Sequence, residues 1–353
     1  MEAEVGPTPR DTILRDGTAS LVRFVSEAPS RGLPVLLVPS MINRWYVMDL
    51  RRGVSLAASL VDEGLDTWLL DWGVPEDEDR YRTWDEGVER IARMVRRVKR
   101  ETGADKVVLL GYCMGATISS VYAALHPDEL AGFINLAGPI DFSHAGLLGE
   151  LVDRAHFDPE ALTRSGNLPA TMMQSGFVAL RPTGQVSKWI ALMDRHDDPE
   201  FKDAFAALET WSGDNIPFPG ETYVTYIRDL YQDNRLAKGS FRSLGRAADL
   251  SSIECPVLTI TASRDTICPP AAANALNELV GSRDTEALEV PGGHVGAVVG
   301  SKAPRALYPK IADWIRRKTG ASTVDAVEVV VRPSPRLSKK KPSRKSKPRS
   351  DLS

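Results

Sequence analysis

The chain has 353 residues, room for one large α/β domain with an insertion or for two modest domains. Hydrophobic residues make up 42% and charged residues 26%, ordinary proportions for a soluble globular protein with a sizeable core. Three cysteines, Cys113, Cys255 and Cys268, are too few and too scattered for a disulfide framework or a zinc cluster, which points to a reducing compartment.

The amino terminus, MEAEVGPTPRDTILRDG, lacks a basic segment followed by an apolar run, so no signal peptide is expected. No uncharged apolar stretch is long enough to span a bilayer, and a cytoplasmic protein is the expectation. The net charge of −3 hides an asymmetry. From Arg332 to Ser353 nine Lys/Arg stand against one acid, Asp351, so the tail carries +8 and the remaining chain −11. Rich in Pro, Ser and Lys, this tail is expected to be disordered. It could hold an anionic partner or serve only solubility.

In chain order, short apolar runs alternate with helical patterns, as in a mostly parallel sheet with helical crossovers. LPVLLVPS (33–40) reads as a buried strand and SLAASLVDEGL (55–65) as a helix closed by Gly64. DTWLLDWG (66–73) is the next strand. Val88, Ile91, Met94, Val95 and Val98 form a helical stripe within 83–103, with Gly103 beyond its end. KVVLL (106–110) is a strand running into Gly111, followed by a helix of small residues over 115–130, broken near Pro127, and a strand at 132–138. The rhythm then stops. From about 142 to 248 the patterns are helical, with several Trp and Tyr and no convincing strand. Alternation resumes with a strand at 256–265, a helix over 271–280, a strand at 287–290 and a final helix over 303–320.

This pattern predicts an α/β fold with a flexible amino terminus over 1–18 and a core formed by 19–141 and 249–320. A helical cap at 142–248 interrupts the core, and a disordered basic tail occupies 321–353.

Gly111-Tyr112-Cys113-Met114-Gly115 fits the G-x-nucleophile-x-G elbow of an α/β-hydrolase fold, between a strand and a helix as that motif requires. The tight turn needs small flanking residues, lifts the nucleophile above the sheet and leaves backbone N–H groups at a helix start to stabilise an oxyanion. A packed cysteine in a glycine turn is the plain alternative. His126, His144, His156 and His196 sit at a helix end or among charged and turn-forming neighbours, where capping or surface roles suffice. His294, in VPGGHVG just after a late strand, stands where a catalytic histidine belongs. Asp265 ends the preceding strand, giving the order nucleophile, acid, histidine, although it could instead cap the next helix. Oxyanion donors are expected from the Met114 N–H and from the Ser40–Met41 backbone, with Met41 the candidate. Cys255 and Cys268 read as core or turn residues. No cofactor or metal site is expected.

Sulfur in the nucleophile position carries its own meaning. A thiolate attacking a thioester exchanges one thioester for another, a nearly energy-neutral step, and the acyl-enzyme stays reactive toward an alcohol. Water must then be kept out, a task the inserted cap could perform.

The chain resembles the polyhydroxyalkanoate synthases, polyester-forming acyltransferases of the α/β-hydrolase superfamily, over about residues 20–318. The segments that carry the resemblance include LLVPSMINRWYVMDLRRGVSL, GLDTWLLDWGVP, GYCMGATIS, WSGDNIPFPGETYVTYIRDLYQDNRLAKG (211–239), ASRDTICPP and PGGHVG. The 211–239 stretch, with Trp211, Asp214, Tyr226, Tyr231 and Asn234, is the most specific, since generic hydrolases share nothing there. The resemblance implies that Cys113 carries the growing chain, that His294 is its base, and that Asp265 acts on His294 or on the incoming 3-hydroxyl. It implies an (R)-3-hydroxyacyl-coenzyme A substrate, 3-hydroxybutyryl-coenzyme A by expectation. It also implies a homodimer, work at a polyester granule surface and, from the short amino-terminal region, a second synthase subunit of the class III or IV kind. Thr266 after Asp265 and the basic tail depart from the family pattern. No specific nucleic-acid partner is expected. The rival readings are a Cys-dependent hydrolase of dienelactone-hydrolase or thioesterase type, a polyester-degrading enzyme, and a non-catalytic granule-associated protein.

Overall fold

The computed structural model describes residues 3–26, 32–180 and 182–320, without side chains for 182–186. Among these residues one sheet is built from β1 (Arg10–Asp16), β2 (Ala19–Phe24), β3 (Val35–Val38), β4 (Thr67–Asp71), β5 (Val107–Tyr112), β6 (Leu130–Leu136), β7 (Val257–Ala262) and β8 (Thr285–Val290). The spatial order is β1-β2-β4-β3-β5-β6-β7-β8, antiparallel at β1, β2 and β4 and parallel from β4 onward. Strands in such a sheet are buried on both faces, which is why they read as continuous apolar runs. Leu36, Val38 and Leu109 enter one core layer, while Val35, Leu37, Val108 and Leu110 enter the other.

The helices that frame the site are α1 (Leu56–Asp62), α2 (Trp84–Thr102), α3 (Met114–Leu125), α4 (Gly146–Leu151), α5 (Ala170–Leu180), α6 (Pro182–Asp194), α7 (Pro199–Gly213), α8 (Gly220–Thr225) and α9 (Tyr308–Thr319). Helices α2 and α3 pack on one face of the sheet, α1 and α9 on the other. The apolar stripe of α2 is fully buried, and each such side chain contributes roughly 1.5–3 kcal/mol. A capping box of Thr83 and Glu86 starts that helix, and Gly103 in the left-handed region ends it. Every residue of α3 is buried, as its run of small and apolar residues requires of a central helix.

The described residues of 142–248 are mainly helical, with a π-helical turn at Tyr226–Gln232, a two-residue hairpin of Arg242–Ser243 with Arg246–Ala247, and an isolated bridge between Leu168 and Phe218. Asn234 ties the late part of this segment back to its start: its side chain accepts from the Phe142 N–H (2.9 Å) and donates to Oδ1 of Asp141, the last core residue before it (2.7 Å).

Three expectations need correction or qualification. The amino terminus is not loose: β1 pairs with β2 around Gly17-Thr18, and Asp16 takes Arg90 (3.2 Å) and Arg93 (2.8 Å) from α2. Arg10 also lies over the Trp45 ring at 4.2 Å, and Thr8 donates to Asp49 at 2.6 Å. The final helix is split into Ala303–Ala306 and Tyr308–Thr319, as expected where Pro309 removes a backbone donor near the start of the second piece. The basic tail lies outside the described residues.

Candidate active site

Register fixes where the site lies. Val38 pairs with Gly111, Tyr112 with Leu136 and Ala262 with Val290, so the carboxyl ends of neighbouring parallel strands stop at one edge of the sheet. Ligands in open α/β sheets bind at that edge. Cys113 follows β5, Asp265 follows β7 and His294 follows β8, so all three gather there.

Cys113 adopts φ +56° and ψ −133°, a conformation that L side chains rarely take. Surroundings over-determine it. A side chain at Gly111 would place Cβ 2.3 Å from the Ala116 Cα, and one at Gly115 would place it 2.2 Å from the Val38 carbonyl oxygen. Only glycine lets α3 approach β3 and β5 so closely, and that approach forces the sharp turn. The Cys113 N–H donates to the Leu136 oxygen (2.9 Å), and its carbonyl accepts from the Ala116 N–H (2.8 Å), which locks the turn to β6 and α3.

Met114 is the first residue of α3, so its N–H has no acceptor within the helix. Among the described residues the Met41 N–H likewise donates to no protein group. Gly115 rests on the Val38 and Pro39 carbonyls, which brings the start of α3 against the chain leading into Met41. The Met114 N–H thus belongs to the elbow itself, and Met41 follows two residues after the Pro39 carbonyl that Gly115 approaches.

Asp265 and His294 are buried. His294 Nδ1 lies 2.7 Å from Asp265 Oδ2, while Asp265 Oδ1 accepts from the Ile267 (2.9 Å) and Cys268 (2.8 Å) N–H groups. With both oxygens engaged, the carboxylate fixes which histidine nitrogen faces it. Nε2 is buried and free of any full hydrogen bond, although Cys113 is close enough to act on the ring's charge. Burial alone would push the imidazole down, but the charge on Cys113 and the Asp265 carboxylate outweigh it and raise the His294 pKa to about 10. Hydrogen bonds of this kind are often long until substrate is bound.

A cavity of about 390 Å³ opens on Cys113 and His294. Its walls are mixed: Ile42, Phe177, Val178, Ile267 and Val295 line it together with Asn43, Gln174, Ser212 and Asn215, and the Lys188–Glu209 pair (2.7 Å) lies among them. The helical segment is fastened to the loop after β3 around this cavity. Asn43 donates to Asn215 (2.7 Å), Tyr46 donates to Asp214 (2.7 Å) and the Trp211 indole donates to the Arg44 oxygen (3.0 Å).

The remaining candidates stand apart. His126 stacks on Tyr122 at the end of α3, and His144, His156 and His196 lie outside the cavity lining. Cys255 precedes β7 at the opposite edge of the sheet. Cys268 is fully buried beside Asp265, which together with burial keeps its thiol protonated far above the usual range. Among the described residues no group of His, Cys, Asp and Glu could hold a metal ion, and no helix is long and apolar enough to cross a membrane.

Sequence reasoning missed Tyr112. Its ring stacks on His294 at 5.5 Å and its hydroxyl is buried without a partner. The signal was its place as the last residue of the strand before the elbow. Phe177, Gln174, Lys188 and Glu209 gave none, because only tertiary packing brings them to the cavity.

Comparison with known proteins bears on the fold and the family. The family described as alpha/beta hydrolase fold matches residues 34–301. The poly(3-hydroxyalkanoate) polymerase subunit PhaC of Haloferax mediterranei is 34% identical over 327 residues, which span 91% of this chain and 66% of that protein, just under two thirds of its length. The subunit PhaC of Allochromatium vinosum is 34% identical over 323 residues, spanning 89% of this chain and 90% of that one. Among solved structures, a putative lipase from Sulfolobus solfataricus superposes with a TM-score of 0.57 at 15% identity, covering 88% of this chain and 93% of the other, a likeness of fold alone. With its sheet, elbow and helical segment in place, the chain belongs to the poly(3-hydroxyalkanoate) polymerase PhaC family, within the alpha/beta hydrolase fold.

Proposed function

We propose that this protein is an acyltransferase that polymerises (R)-3-hydroxyacyl-coenzyme A, with 3-hydroxybutyryl-coenzyme A the expected substrate, into polyester held on Cys113 as a thioester. The observation that carries this reading is the Cys113 elbow opening onto the same cavity as a His294 whose other nitrogen is held by Asp265. Membership of the PhaC family supports it.

The cycle starts with Cys113 as thiolate and His294 as imidazolium. Cys113 attacks the substrate thioester, the bond to the coenzyme A sulfur breaks, and that sulfur takes the Nε2 proton. The neutral ring then takes the proton of an incoming 3-hydroxyl as its oxygen attacks the Cys113-bound carbonyl. That bond to Cys113 breaks, and the chain, one unit longer, stands on coenzyme A while the thiolate–imidazolium pair is restored. Renewed attack by Cys113 returns the chain to the enzyme and releases coenzyme A. The Met114 and Met41 N–H groups stabilise the oxyanion in each attack, an effect for which one donor is worth about 10²–10³ in rate. Asp265 holds the ring in the tautomer this proton traffic needs.

The same reading implies a homodimer at the surface of its polyester product, working with a second synthase subunit. The test is purified protein, alone and with a candidate second subunit, supplied with (R)-3-hydroxybutyryl-coenzyme A. Thiol release accompanied by polymer supports the reading. Thiol release with free 3-hydroxybutyrate as the sole product would instead identify a Cys-dependent hydrolase.

A further inference from the structure

Trp72 directly follows β4 and is buried, but its indole N–H serves a different strand. It donates to the Pro39 carbonyl oxygen at 2.9 Å, in the loop that leaves the neighbouring β3. Among the described residues no backbone N–H donates to that oxygen. On its other side lies the start of α3, where a Cβ on Gly115 would stand 2.4 Å from it. The Pro39 carbonyl is therefore held between the indole and the helix of the elbow. Two residues later comes Met41, whose N–H donates to no protein group.

The backbone that carries the indole is itself fixed. The Trp72 oxygen accepts from Thr18 Oγ1 (3.3 Å), and the Gly73 N–H donates to Asp71 Oδ1 (2.9 Å). Gly73 stands at φ +72°, and a Cβ there would meet the Thr18 oxygen at 1.8 Å, so no other residue lets the chain pass so close to the β1–β2 turn. Trp72 and Met41 also line one small cavity of about 10 Å³, which places the ring beside the loop at more than the single hydrogen bond.

We propose that Trp72 is a positioning residue for acyl transfer at Cys113: its indole N–H holds the Pro39 carbonyl, and through it sets the Ser40–Met41 backbone so that the Met41 N–H meets the oxyanion. The proposal rests on the acyl-transfer reading above and deepens it by naming what aims one of its donors. Proline fixes its own φ, so the direction of its carbonyl depends on one remaining torsion, and the indole bond holds that torsion. The planar Pro39–Ser40 peptide passes the setting on to Ser40. Without the indole the buried carbonyl would lack a donor, a cost that favours turning it elsewhere. Displacement of a catalytic donor by about 1 Å is enough to slow a reaction by about 10²-fold. The far end of the same loop is fastened separately, through Asn43, Arg44 and Tyr46 to the helical segment.

Trp72→Phe keeps an aromatic ring and removes the donor. Trp72→Met also lacks a donor and fills the space with a flexible side chain, a second test should the first variant be unstable. Thermal melts verify folding of both. Two reactions of Cys113 then separate its reactivity from oxyanion stabilisation. Alkylation by iodoacetamide, in which the sulfur attacks a methylene carbon and iodide leaves, forms no oxyanion; its rate is read by mass spectrometry of the peptide containing Cys113. The first rapid release of coenzyme A from saturating (R)-3-hydroxybutyryl-coenzyme A does pass through one. Expected are alkylation at the wild-type rate and a first release slowed by about 10–100-fold, with KM little changed. Folded variants that release coenzyme A at the wild-type rate overturn the proposal. So do folded variants in which alkylation slows as much as release, since the elbow itself is then disturbed. Wild-type thiol release with free 3-hydroxybutyrate as the sole product overturns the polymerase reading instead, because the first thioester cleavage is common to both reactions.

Discussion

His294 Nδ1 meets Asp265 Oδ2 at 2.7 Å, and the two residues follow neighbouring parallel strands whose ends are held in register by the Ala262–Val290 pair. Because Asp265 is itself fixed by two backbone N–H groups, the imidazole has one orientation available and its Nε2 is left for the cavity. Asp265→Asn keeps an oxygen for those N–H groups but removes the charge. The His294 pKa is then expected to fall from about 10, because an opposite charge that favoured the imidazolium is gone. Turnover should drop by about 10³–10⁴-fold with the fold intact, as when a triad acid is neutralised. Imidazole NMR titration and steady-state kinetics check the two halves.

The same pair makes stability depend on pH. A histidine raised from 6.5 to about 10 contributes stability that is fully present below about 6.5 and is lost as pH rises through 10. Denaturant unfolding at pH 6.5, 8.5 and 10.5 should show this loss in the wild type and a smaller loss in both Cys113→Ala and Asp265→Asn, since the charge on Cys113 and then Asp265 raise the histidine. The comparison subtracts what other groups contribute.

Backbone strain at Cys113 gives a separate prediction. Cys113→Ala and Cys113→Gly both lose the sulfur and should both lose turnover, but only alanine must still hold φ near +56°. Cys113→Gly should therefore be more stable than Cys113→Ala by about 1–2 kcal/mol in denaturant unfolding.

Gly115→Ala should be severe in a way that ordinary glycine substitutions are not. Its Cβ would stand 2.2 Å from the Val38 oxygen and 2.4 Å from the Pro39 oxygen, both backbone atoms that cannot swing away. A loss of about 3 kcal/mol or more is expected, or an insoluble product. Gly176→Ala, with open space around it, should be neutral or stabilising in the same assay.

At the amino terminus, burial pushes the Asp16 carboxyl up, but Arg90 and Arg93 outweigh it and hold it below the usual range. Its contribution is present above the unfolded value, near pH 3.9, and is lost as pH falls through the lower folded value. Asp16→Asn should cost about 1–3 kcal/mol at neutral pH, since it leaves the nearly buried Arg90 without its charge partner. The wild type and the variant should converge in stability under strongly acidic conditions.

The central strands and α2 could be read from sequence because burial on two faces, or on one stripe, leaves a local pattern. Leu36 to Val38 and Val107 to Leu110 are runs that only a buried strand explains. β1 escaped notice because RDTILRD is charged at both ends and mostly exposed on one face. The Asp16-Gly17 turn was its one local sign. Cys113, Asp265 and His294 could be named because each follows a recognisable strand. Tyr112 needed the stacked ring of His294 to acquire meaning, and that contact spans most of the core's length in sequence. Helix α5, and α6 over residues 187–194, are largely exposed despite their apolar residues, so no amphipathic stripe announced which side faces the cavity. Phe177, Lys188 and Glu209 become wall residues only through that packing.

The central claim is that Cys113 holds the growing chain. Rapid quenching of the protein during turnover of (R)-3-hydroxybutyryl-coenzyme A, followed by mass spectrometry of the peptide that contains Cys113, tests it most directly. The account predicts a ladder of hydroxybutyryl additions on Cys113, labile to thiols and absent from Cys113→Ala. Turnover with Cys113 unmodified at every time point, or a ladder on another residue, would contradict it.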